Sequence, residues 1–299
     1  MDEHFADRLL GAIEAKGSPV CVGLDPVYER LPAELVHPDA RCPAAGRVER
    51  LGAFCRAVLD VVAPIVPAVK PQIARFEVYG HLGVALYSDV VRYARELGLV
   101  VIGDVKRGDI GSTAEAYAAA HLLADASPDA VTVNGYFGSD GLRPFIDAAA
   151  GRGRGVFVLV RTSNPSATDV QDFTDASGRT FYEHMAEQVS SAGAEAPIGR
   201  CGYSCLGAVV GATYPDEARR LRQIMPQQIF LVPGYGAQGA TAADCAAAFK
   251  DDGTGALVNA SRSVIFAYTR DGCARADWKQ AVADAAQALA RDIAEALRP

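Results

Sequence analysis

The amino-acid sequence predicts an α/β fold, a single (β/α)8 TIM barrel, and two observations carry that prediction. Eight short apolar runs recur along the chain, and stretches of ten or more residues with helical apolar spacing follow them. The runs are nearly free of polar interruptions, as strands buried on both faces of a parallel sheet must be. Eight such units within 299 residues match a closed barrel better than an open sheet.

The eight apolar runs are the predicted strands, and each ends in polar or glycine residues. In chain order the runs are Val20–Asp25, Ala68–Gln72, Leu99–Lys106, Ala130–Gly135, Val156–Ser163, Leu206–Thr213, Ile229–Gly234 and Ala256–Ser261. Their shortness and their content of β-branched residues favour strands over buried helices.

Helices are predicted before the first strand and between the strands. Residues 1–16 form an amphipathic pattern that carries four acids, which is typical of a helix and unlike a signal peptide. Residues 48–62 and 84–97 repeat apolar side chains at the 3.6-residue spacing of a helix. Strand and helix therefore alternate along the chain.

The whole chain, residues 1–299, is predicted to form one barrel domain, because no interdomain linker is visible. Two segments exceed the usual length of a connection between elements. Residues 26–47 contain four prolines, and residues 164–204 contain a helix-like stretch near 180–191. Long loops of this kind usually shape or cover a site.

Composition and charge exclude several classes of protein. With 50% hydrophobic and 22% charged residues, the chain resembles an ordinary soluble globular protein. Lys and Arg number 29 against 36 Asp and Glu, and no basic block occurs, so nucleic acid is not expected as a partner. The apolar runs stop at about eight residues, short of the ~20 that span a bilayer, so no membrane association is expected either. We expect a cytoplasmic protein.

Neither the cysteines nor the histidines suggest a metal site. The seven cysteines include no C-x-x-C pair, and we expect reduced, mostly buried thiols. The five histidines are scattered, with no spacing typical of metal ligands or of a catalytic triad. Chemistry based on histidine or on a bound metal is therefore not expected.

Polar residues at the ends of the predicted strands are the candidates for chemistry, because barrel active sites lie at the carboxyl ends of the strands. This criterion selects Asp25, Lys70, Asp104, Lys106, Asp109, Ser163 and Arg262. The chain has 24 Arg and only 5 Lys, yet two of the lysines stand at strand ends, where an ammonium can lose a proton and a guanidinium cannot.

The closely spaced charges Asp104, Lys106 and Asp109 are the strongest candidates. Residues 104 and 106 are expected on one face of a strand, which places a carboxylate beside an ammonium in a partly dry pocket. Such a group of charges is costly unless it serves chemistry. For Lys70 taken alone, a buried ion pair that holds the barrel mouth together is the alternative.

The glycine-rich stretch Gly234–Gly239 has the spacing G-x-G-x-x-G, which occurs in dinucleotide-binding proteins. We reject that interpretation because only one strand follows, and it ends without the acid that would hold a ribose. The glycine-rich backbone around Gly236 and the helix N-terminus that follows it instead form a predicted phosphate cradle, which Arg262 completes after the eighth strand. A plain glycine turn is the alternative.

The stretch Val101–Ala114, with the pattern D-x-K-x-x-D-I-x-x-T after an apolar strand, resembles the signature of the orotidine 5′-phosphate decarboxylase family. The resemblance extends over nearly the whole chain and includes Gly23–Asp25, Val69–Pro71, Gly236–Gly239 and Ser261–Ser263. Residues 162–165 and 133–136 are similar to the longer bacterial branch of that family. Gly135 departs from the proline of the family pattern, which affects the local geometry of that loop.

The resemblance implies a homodimer that decarboxylates orotidine 5′-monophosphate (OMP) to UMP and CO2 without a cofactor, in the last step of pyrimidine nucleotide synthesis. Lys106 would stabilise the carbanion at carbon 6 and deliver the replacing proton, and Asp104 would lie against the departing carboxylate. By the same resemblance, Asp25 and Lys70 bind ribose hydroxyls, Ser163 binds the pyrimidine, Gln238 and Arg262 bind phosphate, and Asp109 and Thr113 reach into the neighbouring subunit's site.

Two alternatives stay open at this stage. A metal-dependent sugar-phosphate decarboxylase or epimerase on the same barrel would share the D-x-K-x-x-D run, but it would be expected to carry an acid on the second strand, where Lys70 stands. A non-catalytic nucleotide-binding protein would keep the phosphate cradle but would not need the cluster of charges.

Overall fold

Eight parallel strands form a closed barrel, in which each strand pairs with the next and the eighth pairs with the first. The computed structural model describes residues 3–36, 39, 42–269 and 277–298. The strands are β1 (Val20–Leu24), β2 (Ala68–Pro71), β3 (Val100–Arg107), β4 (Ala130–Val133), β5 (Gly155–Arg161), β6 (Leu206–Val210), β7 (Phe230–Pro233) and β8 (Ala256–Ala260). Each overlaps one of the predicted runs, so the predicted (β/α)8 barrel is confirmed.

Helices surround the barrel and connect its strands. They are α1 (Phe5–Lys16), α2 (Ala44–Val62), α3 (Ala74–Glu77), α4 (Gly80–Glu96), α5 (Gly111–Ala118), α6 (Gly138–Ala150), α7 (Thr168–Gln171), α8 (Phe181–Glu195), α9 (Pro215–Ile224), α10 (Ala242–Ala246), α11 (Arg262–Ile265) and α12 (Trp278–Ala296). The helices predicted at 48–62 and 84–97 correspond to α2 and α4. None of the described helices is long and apolar enough to cross a membrane.

The prediction that ten or more helical residues follow every strand is wrong after β7. There α10 has only five residues, and the chain returns to β8 through a turn that contains Gly253 and Gly255, both with positive φ. Positive φ is accessible to glycine without steric cost, so these two residues let the chain turn tightly into β8. The long helix α12, beyond β8, packs against α10 and α2.

Two apolar cores hold the barrel together. The larger lies between the outer faces of the strands and the surrounding helices, and it includes Phe54, Phe145 and Phe230. The smaller lies inside the barrel, where Cys21, Ile102 and Leu257 converge with other inward-facing residues of the strands. Both faces of every strand are therefore buried, which explains why alternation of polar and apolar residues is absent from the strand sequences.

Helix α1 closes the amino-terminal end of the barrel. Its side chains Phe5 and Leu9 are buried in the inner core, and the ring of Phe5 meets Phe157 edge to face at 5.8 Å. A Cβ atom on Gly155 would lie 2.3 Å from the Phe5 ring, so glycine at the start of β5 makes room for this contact. With this end of the barrel filled, the carboxyl ends of the strands remain for a site.

The two predicted long loops differ in structure. Residues 26–36 form two 3-10 turns, and residues 37, 38, 40 and 41 lie outside the described part of the chain. The 164–204 segment contains α7 and α8, and Thr180 caps the start of α8 with a capping box that involves Glu183. The helix-like stretch near 180–191 is therefore part of α8.

Candidate active site

The inner core ends in a polar layer toward the carboxyl ends of the strands. In a strand, residues two apart face the same side, so the residues two positions after inward-facing apolar side chains also face inward. Ala68 is followed in this way by Lys70, Ile102 by Asp104, Ala130 by Thr132, and Leu257 by Asn259. On these four strands, the next inward-facing position after the apolar core therefore carries a hydrogen-bonding or charged side chain.

Asp104 is the centre of this layer and accepts four hydrogen bonds from side chains. Lys70 Nζ lies 2.6 Å and Gln72 Nε2 lies 2.9 Å from Asp104 Oδ2. Lys106 Nζ lies 2.5 Å and Thr132 Oγ1 lies 2.9 Å from Asp104 Oδ1. The four donors come from β2, β3, β4 and the residue that follows Pro71 at the end of β2. Together they hold the Asp104 carboxylate in a single orientation.

Burial and charge act in opposite directions on the ionisation of this cluster. Burial raises the pKa of Asp104, but Lys70 and Lys106 outweigh it and hold the pKa well below its usual range. Burial lowers the pKa of Lys70, but Asp104 and Asp25 outweigh it and leave the pKa raised. Asp104 and Lys70 are therefore charged at neutral pH. The side chain of Lys70 is 7% exposed, whereas that of Lys106 is 47% exposed and open to a ligand.

Lys106 reaches Asp104 through a distortion of β3. The pairing of β3 with β4 shifts register between Gly103 and Arg107, and Lys106 has φ of 45°, the left-handed region that non-glycine residues seldom adopt. The backbone N–H of Lys106 donates to Thr132 Oγ1 at 3.0 Å, which stabilises this conformation. The expectation that residues 104 and 106 are neighbours is confirmed, but an irregular strand brings them together. Backbone strain of this kind concentrates at functional sites.

Two buried acceptors at the cavity have no hydrogen-bond partner among the described residues. They are Asp25 Oδ1, just beyond β1, and Asn259 Oδ1, on β8. Buried polar atoms are nearly always satisfied, so a ligand or a bound water is expected to supply donors here. The chain at Gly23 on β1 and the chain at Ser261 after β8 approach so closely that a Cβ atom on Gly23 would lie only 1.8 Å from Ser261 Oγ.

A cavity of about 430 Å3 extends from the charged cluster to the loop after β7. Gly236 in this loop has φ of 68°, and its neighbours Ala237 and Gln238 line the cavity. Arg262 also lines the cavity at the start of α11, and within the described residues it forms no ion pair. A guanidinium without an acidic partner beside a glycine-rich loop is suited to bind an anion such as phosphate.

The structure brings most of the sequence-predicted site residues to this cavity. The residues that line it are Asp25, Lys70, Asp104, Lys106, Ser163, Gln238 and Arg262. Gly236 is in the adjacent loop, where its nearest side chain is Ser263. Asp109 and Thr113 do not line their own chain's cavity: Asp109 accepts a hydrogen bond from the Ile110 N–H, and Thr113 is exposed on α5.

Several cavity-lining or supporting residues were missed by the sequence reasoning. Thr132 and Gln72 bond Asp104, and Asn259 lines the cavity. The sequence signal that could have found them is a polar residue within or directly after an apolar run. Thr132 and Asn259 lie within such runs, and Gln72 ends one. Arg161 carries the same signal at the end of β5, and its side chain is fully buried.

The described residues contain no group of three or more His, Cys, Asp or Glu side chains that could hold a metal ion. Six cysteines are free thiols, of which five are buried and Cys201 is half-buried. Cys273 and His37, which the sequence prediction also counted, lie outside the described residues.

Comparison with known proteins gives consistent matches over almost the whole chain. The model of the orotidine 5′-phosphate decarboxylase / HUMPS family matches residues 18–276. An orotidine 5′-phosphate decarboxylase of Rhodopirellula baltica is 43% identical over 288 residues, which cover 93% of this chain and 95% of that protein. A crystal structure of a Toxoplasma gondii protein has a TM-score of 0.83 and 32% identity, and covers 99% of this chain and 96% of its own. The structure of Leishmania donovani OMP decarboxylase has a TM-score of 0.75 and 31% identity, with coverage of 98% and 99%.

Proposed function

The chain belongs to the orotidine 5′-phosphate decarboxylase / HUMPS family, and we propose that its cavity decarboxylates OMP to UMP and CO2. The observation that carries the proposal is the ion cluster at the cavity. Lys106 presents a half-exposed ammonium to the cavity while Asp104 and Lys70 stay buried behind it. The experiment that tests it is to follow the loss of OMP absorbance with the purified protein.

The reaction breaks the bond between carbon 6 and the carboxylate, and leaves its electron pair on carbon 6. That carbon has no conventional electron sink, so a fixed cation beside it provides the stabilisation. Lys106 is that cation, and its Nζ–H proton is transferred to carbon 6 as CO2 leaves. The neutral lysine then regains a proton from solvent, so the overall reaction consumes one proton and needs no cofactor.

Asp104 and Lys70 prepare Lys106 for this step. The two oxygens of Asp104 are occupied by four donors, which supports a role in orienting Lys106. The pKa of Asp104 is held below its usual range, so it stays a carboxylate beside the departing CO2 group.

Asp25 and Lys70 bind ribose hydroxyls in this proposal, and the unpartnered Asp25 Oδ1 supports that role.

The phosphate of OMP lies between the glycine-rich loop and Arg262 in this proposal, with Gln238 as a further ligand. We expect Arg262→Ala to raise the KM for OMP by at least about a hundredfold, as loss of a charge-assisted bidentate contact implies. The slow turnover of orotidine, which has no phosphate, should be almost unchanged. Steady-state kinetics on both substrates checks this, and equal losses on the two would show that Arg262 acts elsewhere in the site.

Metal removal distinguishes this proposal from a metal-dependent sugar-phosphate decarboxylase or epimerase. The second strand carries Lys70 where that chemistry needs an acid for a magnesium ion. We therefore expect OMP decarboxylation to be unchanged by EDTA. An EDTA-treated enzyme that loses activity and regains it with added magnesium would contradict the proposal.

We further propose a homodimer whose partner subunit supplies Asp109 and Thr113 to each site. Asp109 is half-buried, and its neighbour Ile110 is an exposed apolar residue, as are Tyr136 and Phe137. The rings of Tyr136 and Phe137 meet edge to face at 5.9 Å, and a Cβ atom on Gly141 would lie 2.7 Å from Phe137 Cβ and 3.0 Å from the Asp109 carbonyl oxygen, so this group lies next to Asp109. A contiguous apolar group of this kind usually marks a surface that another protein covers.

The free, largely buried thiols of the described residues support a reducing compartment, and we propose the cytoplasm.

A further inference from the structure

The fully buried guanidinium of Arg161, at the end of β5, is a feature that the proposed chemistry does not use. Its Nε lies 2.5 Å from Glu217 Oε2 on α9, and its Nη1 lies 2.8 Å from Asp172 Oδ1, just after α7. The ring centroid of Tyr214 is 4.0 Å from its Cζ. A buried charge is costly unless it is paired and bonded. Arg161 therefore connects the end of β5 to α9 and to the residue that follows α7.

Gln171, the last residue of α7, connects Arg161 to the edge of the cavity. Its Oε1 accepts from Arg161 Nη1 at 3.4 Å and from the Thr162 N–H at 3.0 Å. Its Nε2 donates to Thr162 Oγ1 at 2.7 Å, and Thr162 Oγ1 donates to Asn164 Oδ1 at 2.7 Å. One amide side chain thus bonds both the backbone and the hydroxyl of the first residue of this loop.

The bonded residues Thr162 and Asn164 flank Ser163, and all three line the cavity. On another side Ser163 packs closely against Gly211, the residue after β6, where an added Cβ atom would lie 3.0 Å from Ser163 Cβ. The Gly211 N–H also donates to the Arg161 carbonyl at 2.8 Å. Ser163 is therefore held between β6 and a loop whose shape depends on Gln171.

We propose that the 164–204 segment positions the loop that binds the pyrimidine, with Arg161 and Gln171 as its positioning residues. The segment delivers Gln171 to Thr162, and Arg161 fixes α7 and α9 around that contact. This inference rests on the proposed function, because it assumes that Ser163 binds the base of a nucleotide. Arg161 and Gln171 act only through the loop and do not touch the substrate.

Two ligands separate base binding from the rest of the site. UMP occupies the base, ribose and phosphate regions, whereas ribose 5-phosphate lacks the base. We expect Gln171→Leu to weaken UMP binding by about tenfold or more, since two hydrogen bonds to Thr162 are lost. Binding of ribose 5-phosphate should stay within about twofold of the native protein, because the ribose and phosphate contacts do not involve this loop. Calorimetric titration of each ligand measures both constants without relying on catalysis.

The matched control is Gln188→Leu, the same substitution at an exposed position of α8 in the same segment. It should change neither constant. Arg161→Lys keeps the charge but loses the planar fork that contacts Glu217 and Gln171, and it should reproduce the selective loss of UMP binding. If Arg161→Lys does not fold, Gln171→Leu alone decides the matter, because Gln171 is only half-buried.

The outcomes distinguish failure of this inference from failure of the proposed function. A Ser163→Ala protein that loses UMP affinity selectively, beside a Gln171→Leu protein that does not, would overturn the positioning role alone. Equal weakening of both ligands in Gln171→Leu would also overturn it, since that is the result of general loosening. If Ser163→Ala leaves UMP affinity intact, or the native protein does not bind UMP, the proposed base contact is wrong and the inference falls with it.

Discussion

Replacement of Lys106 by alanine is expected to lower the turnover of OMP by more than about a thousandfold while the fold survives. Removal of one preorganised hydrogen-bond donor from an active site already costs about 10²–10³ in rate, and in the proposed mechanism Lys106 supplies both the stabilising charge and the proton. The fold should persist because the native Lys106 side chain is half-exposed. In the variant, Asp104 still has its hydrogen bonds to Lys70, Gln72 and Thr132. Single-turnover kinetics with OMP measures the effect.

Two further variants make this result specific. Lys106→Arg keeps a cation but cannot release a proton near neutral pH, so it should also be inactive if proton delivery is essential. Lys16→Ala removes an exposed lysine in the last turn of α1 and should be fully active. A Lys106→Ala enzyme that retains even a tenth of native turnover, with unchanged thermal stability, would contradict the assignment of Lys106.

A mixture of two inactive variants, Lys106→Ala and Asp109→Ala, is expected to recover about a quarter of native activity per subunit after exchange. In the proposed dimer, each site combines Lys106 of one chain with Asp109 of the other. A mixed dimer then contains one site with both substitutions and one native site. Random exchange makes about half of the dimers mixed, and half of their sites are native. The measurement is to dissociate the two variants together, reassemble them, and compare the activity with that of each variant alone.

The control for this experiment pairs Lys106→Ala with Asp104→Asn. Asp104 bonds Lys106 within one chain, so each substitution damages the site of the chain that carries it. Both sites of a mixed dimer are then damaged, and no exchange can restore a native site. That mixture should stay inactive. If the Asp109 mixture also stays inactive although labelled subunits have exchanged, Asp109 serves its own chain and the shared site is refuted.

The barrel could be predicted from the sequence because its strands leave a local signal. A strand that is buried on both faces is apolar at every position, and the eight runs meet that condition whatever their neighbours are. The length of each connection carries no comparable signal. The five-residue helix α10 was expected to be longer, and its shortness depends on how the chain returns from β7 to β8.

The candidate site was partly predictable for the same reason. Asp104, Lys106 and Lys70 are polar residues at the ends of apolar strands, and the sequence alone shows their positions. Thr132 and Gln72 are also visible there, but nothing local indicates that their side chains converge on Asp104. Their contacts span 28 and 32 residues of sequence, so they exist only once the strands are paired.

The fold class, the family and the strand ends that line the cavity could therefore be predicted, because each depends on residues that are adjacent along the chain. Only the folded barrel sets how those strand ends combine. It placed four donors on Asp104, brought Lys106 to it through a register shift in β3, and buried Arg161 against α7 and α9. Hydrogen bonds and ion pairs depend on distance in space, and closure of the barrel sets the distances between residues that are remote in sequence.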